Sequence, residues 1–122
     1  PLADKITFLG HRSDLTDILP VLDVVCIPSE NEAFGLTIIE SMACGMPIIG
    51  SNTGSLPELL SADAGVLVGP FDVPAWREAM DNLIRDAATR KAMGLAARRR
   101  VEEHFSNKQH VKRLMEIYTA SA

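Results

Sequence analysis

At 122 residues the chain has the length of one ordinary domain, and its hydrophobic (47%) and charged (23%) fractions exclude a disordered chain. A net charge of −4 argues against nonspecific nucleic-acid binding, because neutralising phosphates requires a basic surface. No apolar run approaches the roughly 20 residues that cross a bilayer, and nothing resembles a signal peptide. We therefore expect a soluble cytoplasmic protein, with peripheral attachment to the inner face of the membrane as the alternative.

Four short apolar runs alternate with stretches of helical periodicity, which is typical of βαβ units on a parallel sheet. These predicted strands cover residues 6–9, 24–27, 47–50 and 65–68. They are apolar at both alternating positions, so helices must cover both faces of the sheet. The intervening helices are predicted at residues 14–22, 35–44 and 56–60. The result is a three-layer α/β fold.

The chain after residue 70 is predicted to be helical to its end. Asp72 can cap a first helix that has Pro74 in its first turn. The side chains predicted to face the core from this helix are Ala75, Ala79, Met80, Leu83 and Ile84. A second helix is predicted near residues 89–103, and Ser106 with Gln109 forms a capping box for a third. Its apolar stripe is Val111, Leu114, Met115 and Tyr118.

The cysteines, the histidines and the arginine run are not predicted to form a functional site. Cys26 and Cys44 stand in apolar surroundings and are predicted to be reduced core residues. The histidines have no metal-ligand spacing with them, so no metal site is expected. The three arginines at 98–100 are interpreted as a solvated mixed-charge face of a helix.

Residues 28–47 carry the chemistry, because a strand end, a polar loop and a helix start follow one another there. Ligands bind at the carboxyl ends of parallel strands, and a helix start offers free N–H groups to a phosphate. Gly35 allows close approach of the backbone. On the predicted helix Thr37, Glu40 and Ser41 form the polar stripe, while Leu36 joins the apolar surface. The Glu40 carboxylate therefore needs a partner, either a ligand hydroxyl or a basic side chain.

Glu32 precedes this helix and lies on the order of 10 Å from Glu40, at 1.5 Å of rise per residue plus the loop. That separation suits two sugars joined by a diphosphate. Glu32 equally fits an exposed loop acid stabilised by the helix dipole.

The ordered pattern Glu32-x-Phe34-Gly35-Leu36, then Glu40, then Met42-Ala43-x-Gly45-x-Pro47 resembles the Glu-x7-Glu signature of retaining GT-B glycosyltransferases (glycosyl transferases, group 1). The flanks at residues 6–10, 54–58 and 76–118 agree, so the resemblance covers nearly the whole chain. It implies the second half of a Rossmann-like, C-terminal donor-binding domain with a helical tail. We expect residues 1–122 to form a single partial domain, with βα units at 1–70 and helices at 71–122.

The resemblance also implies roles for single residues. Glu32 would contact donor-sugar hydroxyls, and Glu40 the ribose. The backbone around the helix start would touch sugar or phosphate, and the loop after the first strand would hold the nucleobase. The donor-binding positions at the helix start are Phe34, Gly35, Leu36 and Thr37. Those in the nucleobase loop are His11 and Arg12. Two capping alternatives stay open, for Asp14 as a helix N-cap and for Glu58 in a capping box with Ser55.

Thr53 and Gly54, at the next strand end, are placed to line the same crevice. Two positions depart from the family pattern, since Ala33 stands for a glycine and Asn107 for an aromatic residue. Two parts of the family pattern have no counterpart in these residues. One is the N-terminal Rossmann domain, which holds the acceptor, and the other is the Arg/Lys pair that binds the diphosphate.

The implied function is transfer of a hexose from a UDP- or GDP-sugar to an acceptor left open, with retention and without metal or other cofactor. Two alternatives stay open, a noncatalytic nucleotide-sugar-binding or interaction module and another GT-B-fold enzyme such as a sugar-nucleotide epimerase or a phosphorylase. A nicotinamide-binding Rossmann enzyme is disfavoured, because no Gly-x-Gly-x-x-Gly follows any predicted strand.

The family strand order 3-2-1-4-5-6 leaves one edge of strand 24–27 unpaired in this chain, which is an association hazard. Two outcomes would satisfy that edge. Residues 6–9 can move in beside strand 24–27, or two chains can pair or exchange strands as a homodimer.

Overall fold

The computed structural model describes residues 1–120, which form a parallel sheet with α-helices on both faces. The strands are β1 (Val25–Ile27), β2 (Ile48–Ser51) and β3 (Gly65–Val68). The helices are α1 (Leu15–Ile18), α2 (Leu36–Ala43), α3 (Leu56–Leu59), α4 (Val73–Arg85), α5 (Ala87–His104) and α6 (Asn107–Ala120). Short 3-10 turns occupy Leu2–Lys5 and Leu19–Val21. Within residues 1–120 no helix is long and apolar enough to span a bilayer.

The three strands lie in the order β1-β2-β3, all parallel. Ile48 of the central strand stands opposite Val25 on one side and Gly65 on the other. All four residues of β2 are buried, as a strand covered on both faces requires. The predicted α/β fold, with its parallel sheet and helical tail, is confirmed.

Two hydrophobic cores lie on opposite faces of the sheet. Ile48 and Ile49 are both fully buried, and as successive strand residues they point to opposite faces. The first core joins Ile48 to side chains of α2, α3 and α5, and the second joins Ile49 mainly to α4. This arrangement is the predicted three-layer fold.

Helix α4 begins as predicted but presents a partly different face. The Asp72 side chain accepts the N–H of Ala75 at 3.0 Å, which confirms the cap. The prediction for Ile84 was wrong, because its side chain is 65% exposed while Leu83 is buried. Neighbouring helical residues point about 100° apart, so only one of this pair can face the sheet. Trp76 takes a core position that the pattern did not identify, and its indole N–H donates to the Gly69 carbonyl at 3.0 Å.

The predicted strand at residues 6–9 was wrong. These residues do not join the sheet, and Phe8 is 93% exposed. A strand satisfies its backbone groups by pairing, and within the described chain residues 6–9 pair with no strand, although one edge of β1 is free. The outcome in which this segment moves in beside β1 is therefore contradicted. Among the described residues one edge of β1 is left unpaired. Cys26 of this strand is exposed, against its predicted place in the core.

The C-terminal helices also depart from the predicted burial. No described side chain of α6 is buried, and the residues of its predicted apolar stripe are all exposed, although the Ser106 hydroxyl does accept the Gln109 N–H at 3.4 Å. Arg98 forms the predicted surface pair with Glu102, but Arg100 does not lie on a solvated face. Its guanidinium donates to the carbonyls of the last turn of α3, at 2.6 and 2.8 Å.

Candidate functional site

The candidate site lies where β1 and β2 end, since parallel strands bring their carboxyl ends to the same edge of the sheet. The loop of residues 28–35 runs from β1 to the start of α2, and the loop of residues 52–55 runs from β2 to the start of α3. The Ser55 N–H donates to the Glu32 carbonyl at 2.9 Å, so the two loops are in direct contact.

The start of α2 presents free backbone donors. Gly35 is the N-cap residue, with φ +73°, a conformation that favours glycine. A Cβ at this position would also lie 2.7 Å from the ends of the Ile38 and Leu59 side chains, which would have to shift for a larger residue. The N–H groups of Leu36 and Thr37 bond to no acceptor among residues 1–120. They carry the partial positive charge of the helix start, which attracts an anion.

Glu32 is half-buried and is anchored at this helix start. One carboxylate oxygen accepts the Gly35 N–H at 3.0 Å, and the other lies 3.4 Å from the Ser29 hydroxyl. The carboxylate thus stabilises the first turn, as the interpretation of Glu32 as a loop acid predicts. An ionised carboxylate has about four acceptor positions, so two remain for a ligand.

Glu40 lies on the exposed surface of α2, away from both cores, and its carboxylate makes no hydrogen bond or ion pair with the described residues. Glu40 lines a cavity between α1 and α2 together with Ala43 and Cys44, whereas Ser41 of the predicted polar stripe is fully buried. The cavity has a volume of about 280 Å³. Its lining consists of Arg12, Ser13, Leu15, Thr16, Leu19, Glu40, Ala43 and Cys44.

Arg12 shares this cavity with Glu40 but is paired elsewhere. Its guanidinium donates two hydrogen bonds to the Asp14 carboxylate. This pair lowers the pKa of Asp14 and raises that of Arg12. Asp14 is the N-cap residue of α1, as the capping alternative predicted, but its carboxylate is used by Arg12 and makes no cap bond to the helix. The predicted helix 14–22 is also shorter, and it tightens into a 3-10 turn at Pro20, which has no N–H for a helical bond.

The side chains of Phe34 and Leu36 do not line the cavity beside Glu40. Both are exposed, which corrects the predicted apolar packing of Leu36. They line a second cavity of about 400 Å³, between α2 and the junction of α5 and α6. Its other lining residues are Ile39, His104, Phe105, Asn107, His110 and Arg113. For Phe34 and Leu36 only the backbone therefore belongs to the helix start.

The remaining predicted positions divide between helix and loop. Thr37 is exposed on α2, where its carbonyl accepts the Ser41 hydroxyl at 2.7 Å. His11 is exposed beside Arg12 and lines none of the described cavities. The capping box of Ser55 with Glu58 was wrong, since Ser55 makes no side-chain cap bond and its hydroxyl oxygen is buried without a partner.

Sequence reasoning did not assign two parts of the site. The cavity beside Glu40 is closed by Ser13, Leu15 and Thr16; Ser13 belongs to the loop predicted to hold the nucleobase, whereas Leu15 and Thr16 were assigned no role in the site. Ser29 contacts Glu32 and Thr53; the Ser-x-x-Glu spacing is compatible with the first contact, but nothing along the chain indicated Thr53 as a partner. Among residues 1–120, no three His, Cys, Asp or Glu side chains converge as metal ligands would.

Comparison with known proteins gives consistent matches. Residues 1–100 match the family model described as glycosyl transferases, group 1. The chain is 33% identical over 118 residues to N-acetyl-alpha-D-glucosaminyl L-malate synthase of Bacillus anthracis, covering 96% of this chain and 31% of that protein.

Two solved structures superpose on nearly the whole chain. Sucrose-phosphate synthase from Thermosynechococcus elongatus aligns with a TM-score of 0.87 and 31% identity, over 99% of this chain and 32% of the other. The HepE protein of Anabaena, solved in complex with UDP-glucose, aligns with a TM-score of 0.88 and 24% identity, over 98% and 33%. The chain therefore spans about a third of the length of these relatives.

Proposed function

This chain belongs to the group 1 glycosyl transferase family, and on that premise we propose that it is the donor-binding portion of a glycosyltransferase that transfers a hexose from a UDP- or GDP-sugar with retention. The observation that carries the proposal is the start of α2. Free N–H groups, a left-handed glycine and an anchored glutamate lie together there, at the carboxyl ends of parallel strands. In this proposal residues 1–122 are a single partial domain, and an N-terminal Rossmann domain of the longer protein holds the acceptor.

The N–H groups of Leu36 and Thr37 would bind the diphosphate. As the sugar leaves, negative charge accumulates on the departing diphosphate. Donors that are already oriented stabilise this charge without having to reorganise, and they are most effective where water is excluded. The dipole of α2 adds a positive potential equivalent to roughly half a charge at the same end. We therefore propose chemistry that uses no metal ion or other cofactor.

Glu32 and Glu40 would bind the two ends of the donor. Glu32 has acceptor positions left for sugar hydroxyls and is assigned to positioning, not to nucleophilic attack. Glu40 has no partner in the described chain and faces the cavity that Arg12 also lines, which suits ribose hydroxyls. Exposed ion pairs contribute little to stability, so a nucleotide can displace Asp14 from Arg12 at small cost. Ligand sites usually measure about 300 to 1,000 Å³, so the cavity of about 280 Å³ would hold only part of the donor.

The test is a comparison of Glu40→Ala and Glu32→Gln in the full-length protein. Glu40→Ala should weaken binding of UDP-glucose or GDP-glucose by roughly tenfold or more, the usual loss for one charge-assisted contact. Glu32→Gln keeps an oxygen for the Gly35 N–H but removes the charge. It should lower turnover more than donor affinity. Calorimetry measures the binding, and product analysis by mass spectrometry measures the transfer.

Glu30→Ala is the matched control, because Glu30 is an exposed acid of the same loop that makes no hydrogen bond within residues 1–120. Wild-type kinetics for both Glu32→Gln and Glu40→Ala would remove the assignment. Donor binding without turnover in the wild-type protein would favour the noncatalytic module, and a sugar nucleotide with an inverted hydroxyl as product would favour the epimerase. The 122-residue chain by itself should show no transfer and only weak donor binding.

A further inference from the structure

The loop that carries Glu32 is held by the neighbouring loop at three points. The Thr53 hydroxyl donates to the Ser29 carbonyl at 2.9 Å, and the Ser55 N–H donates to the Glu32 carbonyl at 2.9 Å. Gly54, at φ +56°, packs directly on the Glu32 backbone, where an added Cβ would lie 2.3 Å from the carbonyl oxygen. Two of these contacts use only backbone. Among the described residues, the Thr53 hydroxyl is the one side chain that hydrogen-bonds across the two loops.

Thr53 is itself fixed to the sheet. Its N–H donates to the Ser51 carbonyl at 2.8 Å, and its carbonyl accepts the Leu56 N–H at 3.2 Å. Ser51 is the fully buried last residue of the central strand, and Leu56 is a fully buried core residue. The hydroxyl therefore projects from a rigid part of the molecule, which is what an accurate site needs in its supporting residues.

Thr53 is linked to the Glu32 carboxylate indirectly, through Ser29. Ser29, whose carbonyl Thr53 holds, places its own hydroxyl 3.4 Å from one Glu32 oxygen, while the Gly35 N–H holds the other oxygen. Release of Ser29 would free one end of the loop and one side of the carboxylate together. The Ser55 contact would still fix the Glu32 backbone.

We propose that Thr53 is a positioning residue for Glu32, an inference that rests on the proposed function of Glu32. The hydroxyl sets the path of residues 29–32 and so the orientation of the carboxylate toward the donor sugar. Thr53 does not itself touch the reacting atoms. Because small displacements of a positioning group lower turnover strongly, removal of the hydroxyl should act on turnover more than on donor affinity.

The experiment compares Thr53→Val with Thr53→Ser in the full-length protein. Valine has nearly the same shape without the hydroxyl, and serine keeps the hydroxyl. Thr53→Val should lower kcat by roughly ten- to a hundredfold and change the KM for the sugar nucleotide by less than about threefold. Thr53→Ser should retain most of the wild-type kcat. Thr119→Val, which removes a hydroxyl on exposed α6, should behave as wild type.

Hydrogen–deuterium exchange provides a readout that does not depend on activity. The peptide that covers residues 29–36 should exchange faster in Thr53→Val and at the wild-type rate in Thr53→Ser, because the Gly35 N–H is protected by the Glu32 carboxylate. Unchanged exchange and unchanged kcat in Thr53→Val would overturn the proposal. So would parallel losses of kcat, donor affinity and melting temperature that serine does not rescue.

Failure of the proposed function gives a different result. In that case the wild-type protein neither binds nor transfers UDP- or GDP-sugars, and Glu32 has no donor to position. The exchange measurement then tests only whether Thr53 holds the Glu32 loop in place. Faster exchange at residues 29–36 in Thr53→Val supports the contact from Thr53 through Ser29 to Glu32, and unchanged exchange overturns it.

Discussion

Helices α2 and α5 approach so closely that Gly94 should not tolerate a methyl group. A Cβ at Gly94 would lie 2.0 Å from the Gly45 carbonyl oxygen, whereas an ordinary contact begins at 3.4 Å. Gly45 cannot move freely, because it is held in the left-handed region at φ +72° and its N–H donates to the Met42 carbonyl at 2.9 Å. The substitution Gly94→Ala would therefore force two backbones apart by more than an ångström.

Two effects of opposite sign determine the result. Overpacking a core typically costs about 1 to 3 kcal/mol, and the upper end applies here because both atoms in contact belong to the backbone or are attached directly to it. Replacing a helical glycine by alanine gains about 1 kcal/mol. The net expectation is a loss of about 2 kcal/mol in the free energy of unfolding, which lowers Tm by about 8 to 12 °C for a chain of this size.

Thermal unfolding of the 122-residue chain, followed by circular dichroism, measures this loss. Ala92→Gly, at an exposed position of the same helix, is the matched control and should cost about 1 kcal/mol through helix propensity alone. If Gly94→Ala is as stable as the wild type while Ala92→Gly is destabilised, the close contact between α2 and α5 is refuted.

Three further predictions concern stability and association. Arg100→Lys should lose one of the two hydrogen bonds to the last turn of α3, and urea unfolding should show a cost of about 1 kcal/mol that exposed Arg99→Lys does not share. The Thr89 hydroxyl and N–H lower the pKa of Asp86 at the start of α5. The Asp86 carboxylate therefore stabilises the fold above its unfolded pKa, and this stabilisation is lost as the pH falls below about 4. Asp86→Asn keeps the cap without the charge, so in this acidic range its Tm should fall less steeply than that of the wild type. The unpaired edge of β1 (Val25–Ile27) predicts a homodimer or strand exchange, and a light-scattering mass of one chain at high concentration would contradict it.

Local patterns were sufficient for several elements. The predicted run at residues 47–50 is apolar at every position, as a strand covered on both faces requires, and the structure buries all of it, with β2 itself shifted by one residue to Ile48–Ser51. The Asp72 cap depends on residues three apart in the chain, so the sequence alone predicts it. The helix start at Gly35 likewise follows from one glycine, its neighbours and the strand before it.

Contacts between distant parts of the chain could not be predicted in this way. Residues 6–9 have a strand pattern, but a strand forms only where the chain brings it beside a partner, and these residues do not reach the free edge of β1. Arg100 reads as part of a charged helix face until α3 brings its carbonyls within 2.6 and 2.8 Å. Thr53 is 24 residues from Ser29 along the chain, and their hydrogen bond exists because parallel pairing of β1 and β2 aligns the ends of both strands. The sequence thus determined which residues could form the site, whereas strand pairing and helix packing decided which of them meet, because those contacts depend on distance in space and not on spacing along the chain.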